Sequence, residues 1–123
     1  MPIKKILLVD DSKTELHFLS DLLTTRGFSV RTAEDGEDAM RRLAEEKPDL
    51  IFCDILMPRL DGYQTCAIIK RNPTFSGVPV IMLSSKDGLF DKARGRIVGS
   101  EQYVTKPFTR EELLDAVRKH VNV

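Results

Sequence analysis

The 123-residue sequence predicts an α/β fold, a doubly wound five-stranded parallel sheet of (βα)5 form, on three observations. Short apolar runs alternate with segments whose apolar residues recur at helical spacing. The runs are apolar almost throughout, as strands covered on both faces must be. Capping residues stand ahead of several of the helical segments. Strands and helices alternating in this way form a parallel sheet with helices on both sides, and right-handed crossovers limit how it is wound.

The first strand is "ILLV", 6–9. The first helix carries Leu16, Leu19, Leu22 and Leu23 on one face. Ser12-Lys13-Thr14-Glu15 opens it as a capping box, and Gly27 closes it. "FSVRTA", 28–33, is a weaker strand signal. Ala39, Met40, Leu43 and Ala44 form the apolar face of the second helix, which Pro48 follows. "LIFC", 50–53, is the third strand. The third helix, about 62–71, rests on its flanks: Asp61-Gly62-Tyr63-Gln64 is a looser capping box, and Pro73 lies beyond the end. "PVIML", 79–83, is the fourth strand. Leu89, Phe90, Ala93 and Ile97 mark a fourth helix, and "QYVT", 102–105, a weaker fifth strand. Thr109-Arg110-Glu111-Glu112 caps the last helix, whose face is Leu113, Leu114, Val117 and Val121.

Composition narrows the function. Nineteen basic and nineteen acidic residues cancel, which argues against a nucleic-acid binder held by a general basic field. No apolar run approaches the roughly 18 residues of a membrane span, and the start shows no signal peptide. A single domain over 1–123 in the cytoplasm is expected, without repeat or linker. Cys53 and Cys66 lack metal-site spacing and read as two buried small hydrophobes.

Ligands of an open parallel sheet bind beyond the carboxyl ends of its strands. The first strand runs into Asp10-Asp11 and the third into Asp54. The fourth runs into Ser84-Ser85 and the fifth into Lys106-Pro107. Each alone is bland: an Asp there is often a helix cap, a Ser pair a turn, a Lys-Pro another turn. Together they bring three carboxylates, a hydroxyl and an ammonium to one edge. Carboxylate oxygens at that density suit a divalent cation, with Mg²⁺ foremost. A carboxylate beside Mg²⁺, a lysine and a hydroxyl can accept a phosphoryl group.

The segments "ILLVDDS", "DLIFCDILMPRLDGYQ", "PVIMLSS" and "YVTKPF" resemble, in order and over nearly the whole chain, the receiver domains of bacterial two-component response regulators. The resemblance implies the flavodoxin-like, CheY-like strand order 2-1-3-4-5. It makes Asp54 the acceptor of a phosphoryl group from a sensor histidine kinase or its phosphotransfer domain. Asp10, Asp11, Asp54 and the backbone carbonyl of Leu56 would hold Mg²⁺, with Asp11 direct or through water. Ser84 would be the switch hydroxyl, Lys106 the site lysine, Pro107 a cis-proline and Tyr103 the aromatic that turns inward on activation. Output would pass through the fourth helix, fifth strand and fifth helix, with Lys92, Arg94 and Arg96 near that face. The partner would be a downstream effector protein, and the chain a monomer or a phosphorylation-dependent dimer. Leu56 and Lys86, two residues beyond Asp54 and Ser84, flank the site.

The stretches "MPRLDGYQTCAIIK" and "VIMLSSKDGLFDKARGRIVGS" are further similar to single-domain regulators of type IV pilus twitching motility, within chemotaxis-type signalling. Two features depart from common receivers: Ser84 stands where Thr is more frequent, and the loop 95–99 carries Arg96, Ile97 and Val98. Aspartate-nucleophile phosphatases also combine a parallel sheet, Mg²⁺ and a lysine. They place the nucleophile after the first strand with a second acid two residues on, whereas these acids are adjacent. A receiver-like module that is never phosphorylated would lack part of this set. No Gly-rich loop follows the first strand to cradle a nucleotide. The expected protein is therefore a switch rather than an enzyme of turnover.

Overall fold

The computed structural model describes residues 4–55, 57, 61–84 and 97–121. Strands β1 (Lys5–Val9), β2 (Ser29–Ala33), β3 (Leu50–Asp54), β4 (Val80–Ser84) and β5 (Gln102–Thr105) form one sheet in the order β2-β1-β3-β4-β5. Every neighbouring pair is parallel. Helices α1 (Lys13–Thr25), α2 (Gly36–Glu45), α3 (Gly62–Arg71) and α4 (Arg110–His120) are described. Of the helix expected near 89–97, only Ile97 falls among the described residues.

Alternation along the strands sorts the core into two layers. Ile6, Leu8, Phe52 and Leu83 point to one face, where Leu19 and Leu23 of α1 and Leu113 and Val117 of α4 cover them. Leu7, Val9, Ile51 and Met82 point to the other, beneath Ala39 and Leu43 of α2 and Cys66 and Ile69 of α3. Both cysteines are buried; burial pushes the Cys53 thiol well up and the Cys66 thiol up to about 12, so both stay protonated hydrophobes.

Two expected apolar positions face outward. Ala44 is exposed, because Gly36, Ala39 and Leu43 define the buried stripe and position 44 lies a further 100° round the helix. Ile97 is 84% exposed. It precedes a turn at Val98 and Gly99 (φ +96), and Val98 packs against the core in its place.

The helix ends explain how the chain reaches the sheet edge. α1 closes in a Schellman motif: Gly27, at φ +93, donates to Thr24 O (3.0 Å), and Phe28 donates to Leu23 O (3.1 Å). The boxes at Asp61 and Thr109 are complete: each side chain accepts the third helical N–H, and each cap's backbone N–H donates in return to the side chain of Gln64 or Glu112. The box expected at Ser12 is only half formed. Ser12 Oγ accepts from Glu15 N (3.3 Å), but Ser12 N donates to Asp10 Oδ1 (2.9 Å) instead of Glu15.

α3 starts hard against the end of β3. A Cβ on Gly62 would lie 2.3 Å from Asp54 O and 2.7 Å from Ile55 Cα. Gly62 N also donates to Ile55 O (3.0 Å), so glycine is what lets the helix sit there.

Candidate functional site

The carboxyl edge gathers the residues the sequence placed at strand ends. Asp10 still donates its backbone N–H to Ala33 O of β2 (3.0 Å), which holds it against the sheet, and the residue is only 1% exposed. Asp11, one residue on, is exposed. Of the two adjacent acids, only Asp11 therefore faces solvent. Asp54 closes β3 and is buried, as is Ser84 at the end of β4. Ser84 O accepts the backbone N–H of Lys106 just beyond β5, and the Lys106-Pro107 peptide is cis.

The Lys106 ammonium binds the acids together. Its Nζ hydrogen-bonds Glu15 Oε2, and it lies 3.2 Å from Asp54 Oδ1 and 3.6 Å from Asp10 Oδ2. Glu15 is thus a fourth carboxylate of the cluster, read from sequence only as a capping partner. The available signal was local: Asp10 precedes Ser12 by two residues and competes for the N–H that a capping glutamate would take.

Burial and crowding set the charges. Asp10 is pushed up to about 8, first by burial and then by contact with Glu15. Glu15 is held below its ordinary range by Asp10 and, after the opposing effect of burial, by Lys106, so the shared proton rests on Asp10. Burial raises Asp54, and Lys106 only partly offsets this. Burial alone would lower Lys106, but Glu15, Asp54 and Asp10 outweigh it and raise it.

The residues fit a hard divalent cation. One oxygen each from Asp10, Asp11 and Asp54 lie within 4.8 Å of one another. Asp10 Oδ2 is buried with no hydrogen-bond partner among the described residues, an orphaned carboxyl oxygen that a cation can satisfy by taking the place of the proton.

Tyr103 on β5 is half-buried against the α2 and α3 layer. Leu56, Lys86, Lys92, Arg94 and Arg96 lie outside the described residues. So does most of the expected fourth helix.

A parallel sheet with acids from β1 and β3 and a lysine beyond β5 at its carboxyl edge defines the CheY-like class of fold. The structure superposes on the chemotaxis protein CheY4 of Vibrio cholerae with a TM-score of 0.94 at 28% identity, covering 98% of this chain and all of that one. It superposes with a TM-score of 0.90, also at 28% identity, on the receiver domain of a Pseudomonas aeruginosa sensor histidine kinase, over 99% of this chain and 100% of that one. That structure has a magnesium ion coordinated in its active-site cleft. The chain belongs to the response regulator receiver domain family, which it matches over residues 6–118. It is 61% identical to the protein PilG of Pseudomonas aeruginosa over 117 residues, 95% of this chain and 87% of that one. No described helix is long and apolar enough to cross a membrane.

Proposed function

We propose that this chain is a phosphorylation-dependent switch in which Asp54 accepts a phosphoryl group from a histidine kinase. The observation that carries the reading is the placement of Asp54. Lys106 Nζ lies 3.2 Å from its Oδ1, and the Asp10 and Asp11 carboxylates stand within 4.8 Å of it. Asp10, Asp11 and Asp54, with Leu56 O from outside the described residues, are the proposed Mg²⁺ ligands. When bound, the cation neutralises carboxylates and phosphoryl oxygens that would otherwise repel one another.

The chain's own residues do the rest. An Asp54 oxygen forms a bond to phosphorus as the bond from phosphorus to the donor imidazole nitrogen breaks, its electron pair leaving with the imidazole. With a small acyl phosphate the leaving group is the carboxylate. Lys106 first pairs with the Asp54 carboxylate and then with a phosphoryl oxygen, against a group of roughly −1.5 to −2 charge. Ser84 donates a hydrogen bond to that group, and the rearrangement beyond β4 gives Tyr103 room to turn inward. The two states must lie within a few kcal/mol for one modification to exchange them.

The altered face is the expected fourth helix, near 89–97, with β5 and α4, and the response is binding of an effector protein by one receiver unit in the cytoplasm. Likeness to PilG and to the pilus-motility pattern supports a role in type IV pilus or chemotaxis-type signalling.

Acetyl phosphate with Mg²⁺ tests the acceptor. One phosphoryl group should add by mass, and Asp54→Asn should abolish the adduct; labelling that survives the substitution unaltered refutes Asp54. Lys106→Ala should keep Mg²⁺ binding but uncouple phosphorylation from any change at Tyr103. Capture of a partner by the phosphorylated form and not the unmodified form tests the output.

A further inference from the structure

Lys106 has three N–H donors and a single positive charge, and the carboxylates of Glu15, Asp54 and Asp10 all lie against it. Of these, Glu15 is its nearest partner, ahead of Asp54 Oδ1 at 3.2 Å and Asp10 Oδ2 at 3.6 Å. The Glu15 carboxylate is free for that bond because Asp10 Oδ1 already takes the Ser12 N–H that a capping box would have given it. The Glu15 side chain is 38% exposed and Lys106 17%. With Phe18 and Phe108 the two line a groove of about 570 Å³ beside the acid cluster. The pair therefore sits on a flank of the site that is open to solvent.

Phosphoryl transfer adds negative charge at Asp54 and demands the lysine for the new oxygens. We infer that Glu15 is a positioning residue that competes with the phosphoryl group for Lys106 and so restrains phosphorylation of Asp54. The inference rests on the function proposed above. Glu15 acts through the lysine it holds and through its own charge, which repels an anionic donor and draws a cation toward the acids. Removing the charge should therefore move two quantities in opposite directions. Phosphorylation should quicken, and Mg²⁺ should bind less tightly. A residue that only supported the helix would not separate them.

The experiment compares wild type, Glu15→Gln and Glu15→Ala. Mg²⁺ affinity is measured by calorimetry without donor, the initial rate with acetyl phosphate at saturating Mg²⁺, and the thermal midpoint of the metal-free protein. Both variants should be labelled roughly three- to tenfold faster than wild type, the span a partly exposed charge pair can command. Both should bind Mg²⁺ a few-fold more weakly, and their rates should depend less on added salt. Glu15→Ala leaves no side chain able to hold the lysine, so its rise must at least equal that of Glu15→Gln. Rates equal to or below wild type in both variants, with Asp54 still labelled in wild type, overturn the inference and leave the proposed function standing. Wild type that takes no label on Asp54 overturns the proposed function, and the inference with it.

Discussion

Asp10 carries the largest cost at the site, because a carboxylate is buried beside other acids with one oxygen unmatched. In the folded chain it keeps its proton to about pH 8, against an ordinary 3.8. Between those values the folded state binds the extra proton, so Asp10 contributes most stability on the acid side and loses it as pH rises toward 8. Glu15, held below its ordinary value, contributes in the opposite sense: its share is lost as pH falls through the acid range. Urea unfolding of metal-free protein should therefore show the midpoint falling from about pH 5 to pH 8, where Asp10 dominates. Millimolar Mg²⁺ should recover much of that loss at pH 8, since a ligand of the folded state stabilises it. A midpoint that rises over this range without metal contradicts the charge assignment. From sequence, the adjacent acids were legible as a pair. Their unequal burial was not, because it depends on which of them still pairs with β2.

At the scale of elements, α3 and its glycine position Asp54. Gly62→Ala places a methyl group into Asp54 O and Ile55 Cα, both backbone atoms that cannot swing aside. The substitution should cost about 1–3 kcal/mol in urea unfolding, the usual range for overpacking, and should also slow labelling of Asp54. A neutral effect on both would show that α3 can slide along the strand end. The strands were legible to within a residue or so because runs such as "LIFC" are buried on both faces. α3 was legible from Asp61 and Pro73, and its bounds agree with the flanks alone. The half-formed box at Ser12 was not legible: the S-x-x-E spacing is the same whether the glutamate caps or reaches across to a lysine 91 residues away. Ile97 failed for a related reason, since helical spacing says nothing about where a helix ends.

At the scale of the molecule, the order β2-β1-β3-β4-β5 puts β1 and β3 side by side at the centre. That single adjacency brings Asp10 and Asp54 together from positions 44 residues apart, and β5, two strands further over, delivers Lys106 to both. Alternation could assign the two core layers. It could not supply the strand order, which entered through likeness to a known family. In the function proposed above, this edge makes Asp54 the phosphoryl acceptor. Borohydride reduction of protein treated with acetyl phosphate and Mg²⁺ tests it most directly, because an aspartyl phosphate is reduced to homoserine and a free carboxylate is not. Peptide mapping should find homoserine at position 54 alone, and homoserine at Asp10 or Asp11 with Asp54 intact would overturn the assignment.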